Sequence, residues 1–145
     1  MLCNLGGPNL RPLIIIGETY YVTESIGCAF RNELSCSVHI FKDVYSWKRS
    51  PYVQCLAFIV VDASASLGLY SCHEVVSQLR DLGNGAPIIV ISDVDTPANI
   101  ENSIRHGASG YISTSTTLRE ALEAVRFVLS DGIFVPGGTA LLGHC

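Results

Sequence analysis

Leu56-Ala57-Phe58-Ile59-Val60-Val61-Asp62-Ala63-Ser64 runs six apolar residues in succession onto a carboxylate. A strand buried on both faces reads this way, because neither face asks for alternating polar side chains. Covering both faces takes helices on either side, so the run points to a parallel α/β sheet with Asp62 at the carboxyl end of a strand. In such sheets that edge is where ligands bind. An Asp after a strand also caps turns, so its neighbours have to show whether Asp62 stands in a site.

The same pattern recurs along the chain. Leu13-Ile14-Ile15-Ile16 reads as a first buried strand ending at Gly17-Glu18, and Tyr20 to Leu34 follows with Val22, Ile26, Ala29 and Phe30 at helical spacing. Cys36 to Phe41 is short and β-rich, bounded by Lys42-Asp43. Asp43 to Tyr52 allows only a turn or two of helix, since Pro51 stops it; Tyr45 and Trp47 there read as packing or partly exposed residues. Leu69 to Leu82 places Cys72, Val75, Val76 and Leu79 on one stripe before Gly83-Asn84-Gly85. Ile88-Ile89-Val90-Ile91 is a fourth buried strand, ending at Ser92-Asp93. Pro97 opens a helix carrying Ile100 and Ile104, which Gly107 closes. Tyr111-Ile112 gives a short fifth strand. In the last helix Thr117-Leu118-Arg119-Glu120 fits a capping box, with Leu118, Ala121, Leu122, Val125 and Leu129 as its apolar stripe and Phe127 and Val128 off it. Five strand-helix alternations with right-handed crossovers predict a flavodoxin-like, doubly wound five-stranded parallel sheet of order 2-1-3-4-5. Ile133 to Leu142, with Pro136-Gly137-Gly138, reads as the start of a linker.

The 145 residues suit one domain, and 48% apolar composition with mean hydropathy +0.37 supplies a core. A net charge of −4 and an isoelectric point near 5.4 argue against a nucleic-acid surface on this segment. The apolar runs are far shorter than a membrane span, so the expected location is cytoplasmic with no membrane contact. The six cysteines include no CxxC pair and read as buried free thiols; Cys72-His73 and His144-Cys145 are not at chelating spacing.

The strand ends bring Glu18, Asp62, Ser92 and Ser113-Thr114-Ser115 to one edge. With Ile104-Arg105-His106-Gly107-Ala108-Ser109-Gly110-Tyr111-Ile112, the capped final helix and Gly132-Ile133-Phe134-Val135-Pro136, this order resembles the receiver (CheY-like) domain of two-component response regulators. The nearest likeness is to receivers of the NarL/FixJ (LuxR-type) transcription regulators. The resemblance covers residues 11–136, leaving 137–145 as the beginning of a linker to an output domain.

The resemblance implies that Asp62 occupies the place of the phosphoacceptor, fed by a histidine kinase. It implies a Mg²⁺ held by Glu18, Asp62 and the backbone carbonyl of Ser64, a hard cation among oxygen ligands. Ser92 would receive the phosphoryl group, and Tyr111 is the aromatic that moves in the family's switch. Two positions depart from the pattern. Gly17 stands where the family has an acid, and Thr114 stands where it has a lysine that pairs with the acyl phosphate. One charge-assisted hydrogen bond contributes roughly 1.5–3 kcal/mol, so losing the lysine costs about ten- to a hundredfold in stability of the phosphorylated state. Restoring an acid at 17 and a lysine at 114 is expected to restore the response.

The expectation is therefore an atypical receiver: a signalling module and not an enzyme, a homodimer in keeping with the resemblance, touching DNA only through an output domain. Other readings are a conventional phosphoreceiver, or a small-molecule module on the same architecture. A flavin or nucleotide site needs a phosphate-cradling loop after the first strand, and Gly17-Glu18-Thr19-Tyr20-Tyr21 lacks that pattern.

Overall fold

The continuous apolar runs at residues 13–16, 58–61 and 88–91 each form a strand, and the short β-rich segments at 38–41 and 110–113 form two more. A computed structural model describes residues 11–54, 57–63, 72–82, 85–94 and 96–136. The strands are Leu13–Ile16 (β1), Val38–Phe41 (β2), Phe58–Asp62 (β3), Ile88–Ser92 (β4) and Gly110–Ser113 (β5), all parallel and ordered β2-β1-β3-β4-β5. The helices are Tyr20–Leu34 (α1), Val44–Lys48 (α2), Cys72–Leu82 (α3), Pro97–Arg105 (α4) and Leu118–Leu129 (α5), with a 3-10 turn at Pro51–Gln54. This is the doubly wound, flavodoxin-like sheet that the alternation predicted. The part of the third helix expected from Leu69 to Ser71, and Ser64 with its carbonyl, lie outside the described residues.

Two buried layers flank the sheet. Leu13, Ile15, Phe58, Val60, Ile89 and Ile112 meet Phe30 of α1 and Leu122, Val125 and Val128 of α5. Ile14, Ile16, Ile59, Val61, Ile88 and Val90 meet Trp47 of α2, Val76 and Leu79 of α3 and Ile100 of α4. Strand residues therefore alternate between layers without any alternation of polarity, as burial on both sides requires.

Several expectations about helix faces change. Val128 is buried with α5's stripe, whereas Leu118 is half exposed, so the core face begins at Ala121. The Thr117 capping box forms, with Thr117 Oγ1 accepting from the Glu120 N–H at 3.2 Å and Glu120 Oε1 accepting from the Thr117 N–H at 3.3 Å. On α1 the buried positions are Thr23, Gly27 and Phe30, one turn-spaced line of mostly small residues. A Cβ on Gly27 would lie 2.9 Å from Val38 Cγ1, so the helix sits too close to the sheet for a side chain there. Among the described cysteines Cys36 is buried but Cys28 is exposed on α1, against the expectation of buried thiols. Trp47 is buried and Tyr45, two residues earlier, is exposed.

Residues 133–136, which the pattern of Pro and Gly left at the start of a linker and the resemblance placed inside the domain, lie along β5. Phe134 bridges Gly110 in parallel, the Tyr111 N–H donates to the Phe134 carbonyl at 3.0 Å, and Val135 is buried. They cover part of an edge that would otherwise present unpaired backbone groups. Among the described residues no helix is long and apolar enough to cross a membrane.

At the other edge, the His39 ring of β2 stacks on Tyr52 with centroids 3.9 Å apart. Burial lowers the His39 pKa, and the Arg31 charge lowers it further. In the unfolded chain the imidazole takes up its proton near the ordinary value of about 6.5, in the folded chain only at lower pH. Between those values the unfolded state holds more protons, so stability is full above about pH 6.5 and falls as the pH drops below it. Melting curves should show the wild type losing more stability than His39→Phe between about pH 7.5 and about pH 5.5. Equal losses in the two proteins would contradict this assignment.

Candidate functional site

The carboxyl ends of the strands gather the residues that the sequence singled out. Asp62 is the last residue of β3, the middle strand, and is 2% exposed. It pairs in register with Ile91, so Ser92, also buried, stands next along β4. On the other side β1 runs out at Ile16 into Gly17. A Cβ on Gly17 would lie 2.8 Å from Asp62 Cβ, 3.2 Å from Asp62 Oδ2 and 2.7 Å from Thr23 Cγ2. The backbone of residue 17 is thus packed directly against the carboxylate-bearing side chain, and only glycine fits without displacement.

Glu18 is exposed at the rim. Gly17, Glu18 and Asp62 line one cavity of about 270 Å³, closed on its far side by Val44 and Tyr45 of α2 and Val75 and Gln78 of α3. Lys42 and Asp43, which follow β2, complete its wall. Asp43 is the N-cap of α2: its Oδ1 accepts from the Ser46 N–H at 2.8 Å, and that hydrogen bond holds its carboxyl below the usual range. The cavity therefore carries the charges of Glu18, Asp43 and Asp62 against that of Lys42.

Ser92 and Thr114 stand on the opposite flank of Asp62. The Thr114 N–H donates to the Ser92 carbonyl at 3.0 Å, tying the end of β5 to β4, while the Thr114 side chain is exposed. Ser92 Oγ accepts from the Val94 N–H at 3.0 Å. The Tyr111 hydroxyl, on a ring that is 2% exposed, donates to the carbonyl of the same Val94. Val94 thus links Ser92 to Tyr111 through its two backbone groups. Ser113 Oγ and Ser115 Oγ lie 2.9 Å apart and close the β5–α5 turn among themselves.

Eleven residues line the cavity, and the sequence had marked only Gly17, Glu18 and Asp62 for function. Lys42 was passed over as a strand boundary. A signal was present: it follows the apolar run of β2 as Gly17 follows that of β1 and Asp62 ends that of β3. Among the described residues no group of three or more His, Cys, Asp and Glu side chains is placed to hold a metal ion.

No family model and no curated protein matches the chain. Solved structures do. A LuxR-family two-component response regulator from Aurantimonas sp. SI85-9A1 superposes with a TM-score of 0.78 at 18% identity, over 92% of this chain and 95% of that one. The receiver fold is shared. A LuxR-family DNA-binding response regulator from Silicibacter pomeroyi gives 0.74 at 17% identity over 88% and 98% of the two chains. A response regulator from Burkholderia pseudomallei, solved with a phosphorylated aspartic acid, a calcium ion and citrate, gives 0.67 at 18% identity over 83% of this chain and 69% of that one. In the receiver fold of this chain, Asp62 sits at the end of the third of five strands ordered 2-1-3-4-5.

Proposed function

We propose that the chain acts as an atypical receiver of a two-component response regulator, in which Asp62 accepts a phosphoryl group at low occupancy and passes the change to an output domain that contacts DNA. The observation that carries this reading is a buried carboxylate ending the middle strand, flanked by a buried serine and opening on a cavity shared with Glu18. In the reaction a carboxylate oxygen of Asp62 forms a bond to phosphorus as the P–N bond of a phosphohistidine breaks; the imidazole nitrogen leaves with the electron pair of that bond, and the proton on the ring's other nitrogen keeps the departing imidazole neutral.

Asp62 and Glu18 give two carboxylates, enough for a hard cation that keeps several waters, and fewer than a dedicated site would have. Mg²⁺ held there, with the Ser64 carbonyl that the resemblance adds, would supply charge neutralisation on the phosphoryl oxygens. Ser92 would donate to a phosphoryl oxygen: its Oγ accepts from the Val94 N–H, and the hydroxyl keeps one proton of its own to give. A phosphoryl group that drew Ser92 would pull on Val94 and hence on the Tyr111 hydroxyl bonded to its carbonyl. This supports Tyr111 as the moving aromatic. With −4 net charge on the receiver, DNA contact belongs to the output domain.

Beryllofluoride with Mg²⁺, followed by fluorine NMR, tests the acceptor. A bound signal in the wild type that disappears in Asp62→Asn supports the reading, and no bound signal in a folded wild type at millimolar beryllofluoride contradicts it. We also propose a homodimer. Its apolar supply on α5 differs from the one the sequence suggested, because Val128 is core whereas Leu118 and Phe127 are both about half exposed. Sedimentation velocity should accordingly show weak, reversible dimers; a strict monomer at high concentration removes the proposal.

A further inference from the structure

Ile16 pairs with Phe41 on one side and Val61 on the other. The next residues on the three strands, Lys42, Gly17 and Asp62, therefore fall in one row across the sheet edge. The ladder is still intact there, since the Gly17 N–H donates to the Phe41 carbonyl at 3.0 Å. Two strand spacings separate the outer members of the row by about 10 Å between Cα atoms. The residue between them has no side chain.

We propose that Lys42 serves as the cation for a phosphoryl group on Asp62, reaching it across the bare Gly17 from the β2 side of the sheet. The inference rests on Asp62 being the phosphoacceptor. Lys42, Gly17 and Asp62 line the same cavity, so the two charged residues border one space. An extended lysine stem carries its nitrogen about 6 Å from Cα, and an acyl phosphate extends the aspartate by several ångströms towards it, so together they span the row. Glu18 and Asp43 are the other charges on this cavity. Asp43 also feels the Lys42 charge, but its Oδ1 is engaged by the Ser46 N–H. A phosphoryl dianion concentrates more negative charge than either carboxylate and is the stronger attractor for a mobile ammonium. The two departures at Gly17 and Thr114 then become one arrangement: removing the side chain at 17 opens the path for a cation from the second strand, and the fifth strand has none.

The test measures the affinity of the full chain for beryllofluoride with Mg²⁺ in wild type, Lys42→Met, Lys42→Arg, Thr114→Lys and the Lys42→Met/Thr114→Lys double variant. Lys42 is exposed, so Lys42→Met keeps the stem and should fold, which circular dichroism checks. Lys42→Met should weaken binding by about ten- to a hundredfold and Lys42→Arg by much less. With a lysine at 114 already supplying the cation, the same Lys42→Met change should cost several times less, a result that a merely structural role would not produce. Wild-type affinity in Lys42→Met overturns the proposal while leaving Asp62 as acceptor. Equal costs of Lys42→Met in both backgrounds also overturn it. No binding by a folded wild type sinks the acceptor reading and this proposal together.

Discussion

Thr114→Lys should lengthen the lifetime of phosphorylated Asp62, by about ten- to a hundredfold in a Lys42→Met background, the effect of adding one charge-assisted hydrogen bond of roughly 1.5–3 kcal/mol, and by several times less where Lys42 is present. The position is suited to the change. Thr114 follows β5 directly, its N–H is fixed to the Ser92 carbonyl, and its side chain is exposed, so a longer side chain meets no packed neighbour. Dephosphorylation followed by intact mass, after removal of excess acetyl phosphate, measures the lifetime. An unchanged lifetime in a folded Thr114→Lys protein would show that the end of β5 does not face the phosphoryl group.

Gly17→Asp should act in the opposite direction from the one that the sequence suggested. Adding an acid at 17 was expected to complete a metal site, but any side chain there begins with a Cβ 2.8 Å from Asp62 Cβ and 2.7 Å from Thr23 Cγ2. Neither contact is with the far end of a flexible chain. Replacing glycine on a compatible backbone gains about 0.4–1 kcal/mol from the unfolded state, whereas overpacking costs about 1–3 kcal/mol. The clash therefore wins, and Gly17→Ala and Gly17→Asp should both lower stability by about 1–2 kcal/mol and weaken beryllofluoride binding by displacing Asp62. Urea unfolding and fluorine NMR read the two effects. Wild-type stability together with tighter Mg²⁺ binding in Gly17→Asp would reinstate the missing-acid account.

The fold was legible because burial on both faces leaves continuous apolar runs, and each run from Leu13, Phe58 and Ile88 became a strand. The final helix was legible at its start, where Thr117 and Glu120 cap each other. Its stripe was only partly legible: Leu118 sits in the first turn, beyond the sheet's cover, and Val128 falls inside it. On α1 hydrophobicity pointed to Val22, Ile26, Ala29 and Phe30; Phe30 is buried and Ile26 and Ala29 pack against the core, but the other buried positions are Thr23 and Gly27. Close approach to β1 and β2 selects small side chains, and Thr23 meets its own hydroxyl requirement through the Tyr20 carbonyl at 3.0 Å. Asp62, Glu18 and Ser92 could be placed on one edge from strand ends alone. The cavity could not, because its far wall is α2, too short for periodicity to mark, and because Lys42 acquires its meaning only from register across β2, β1 and β3.

The most direct measurement is the intact mass of the full chain after incubation with acetyl phosphate and Mg²⁺, in wild type, Asp62→Asn and Thr114→Lys. An atypical receiver predicts a minor fraction of wild type carrying one phosphoryl group, none in Asp62→Asn, and a larger fraction in Thr114→Lys. Stoichiometric labelling of wild type at Asp62 would contradict a weakened site, and no labelling of a folded Thr114→Lys protein would contradict Asp62 as the acceptor.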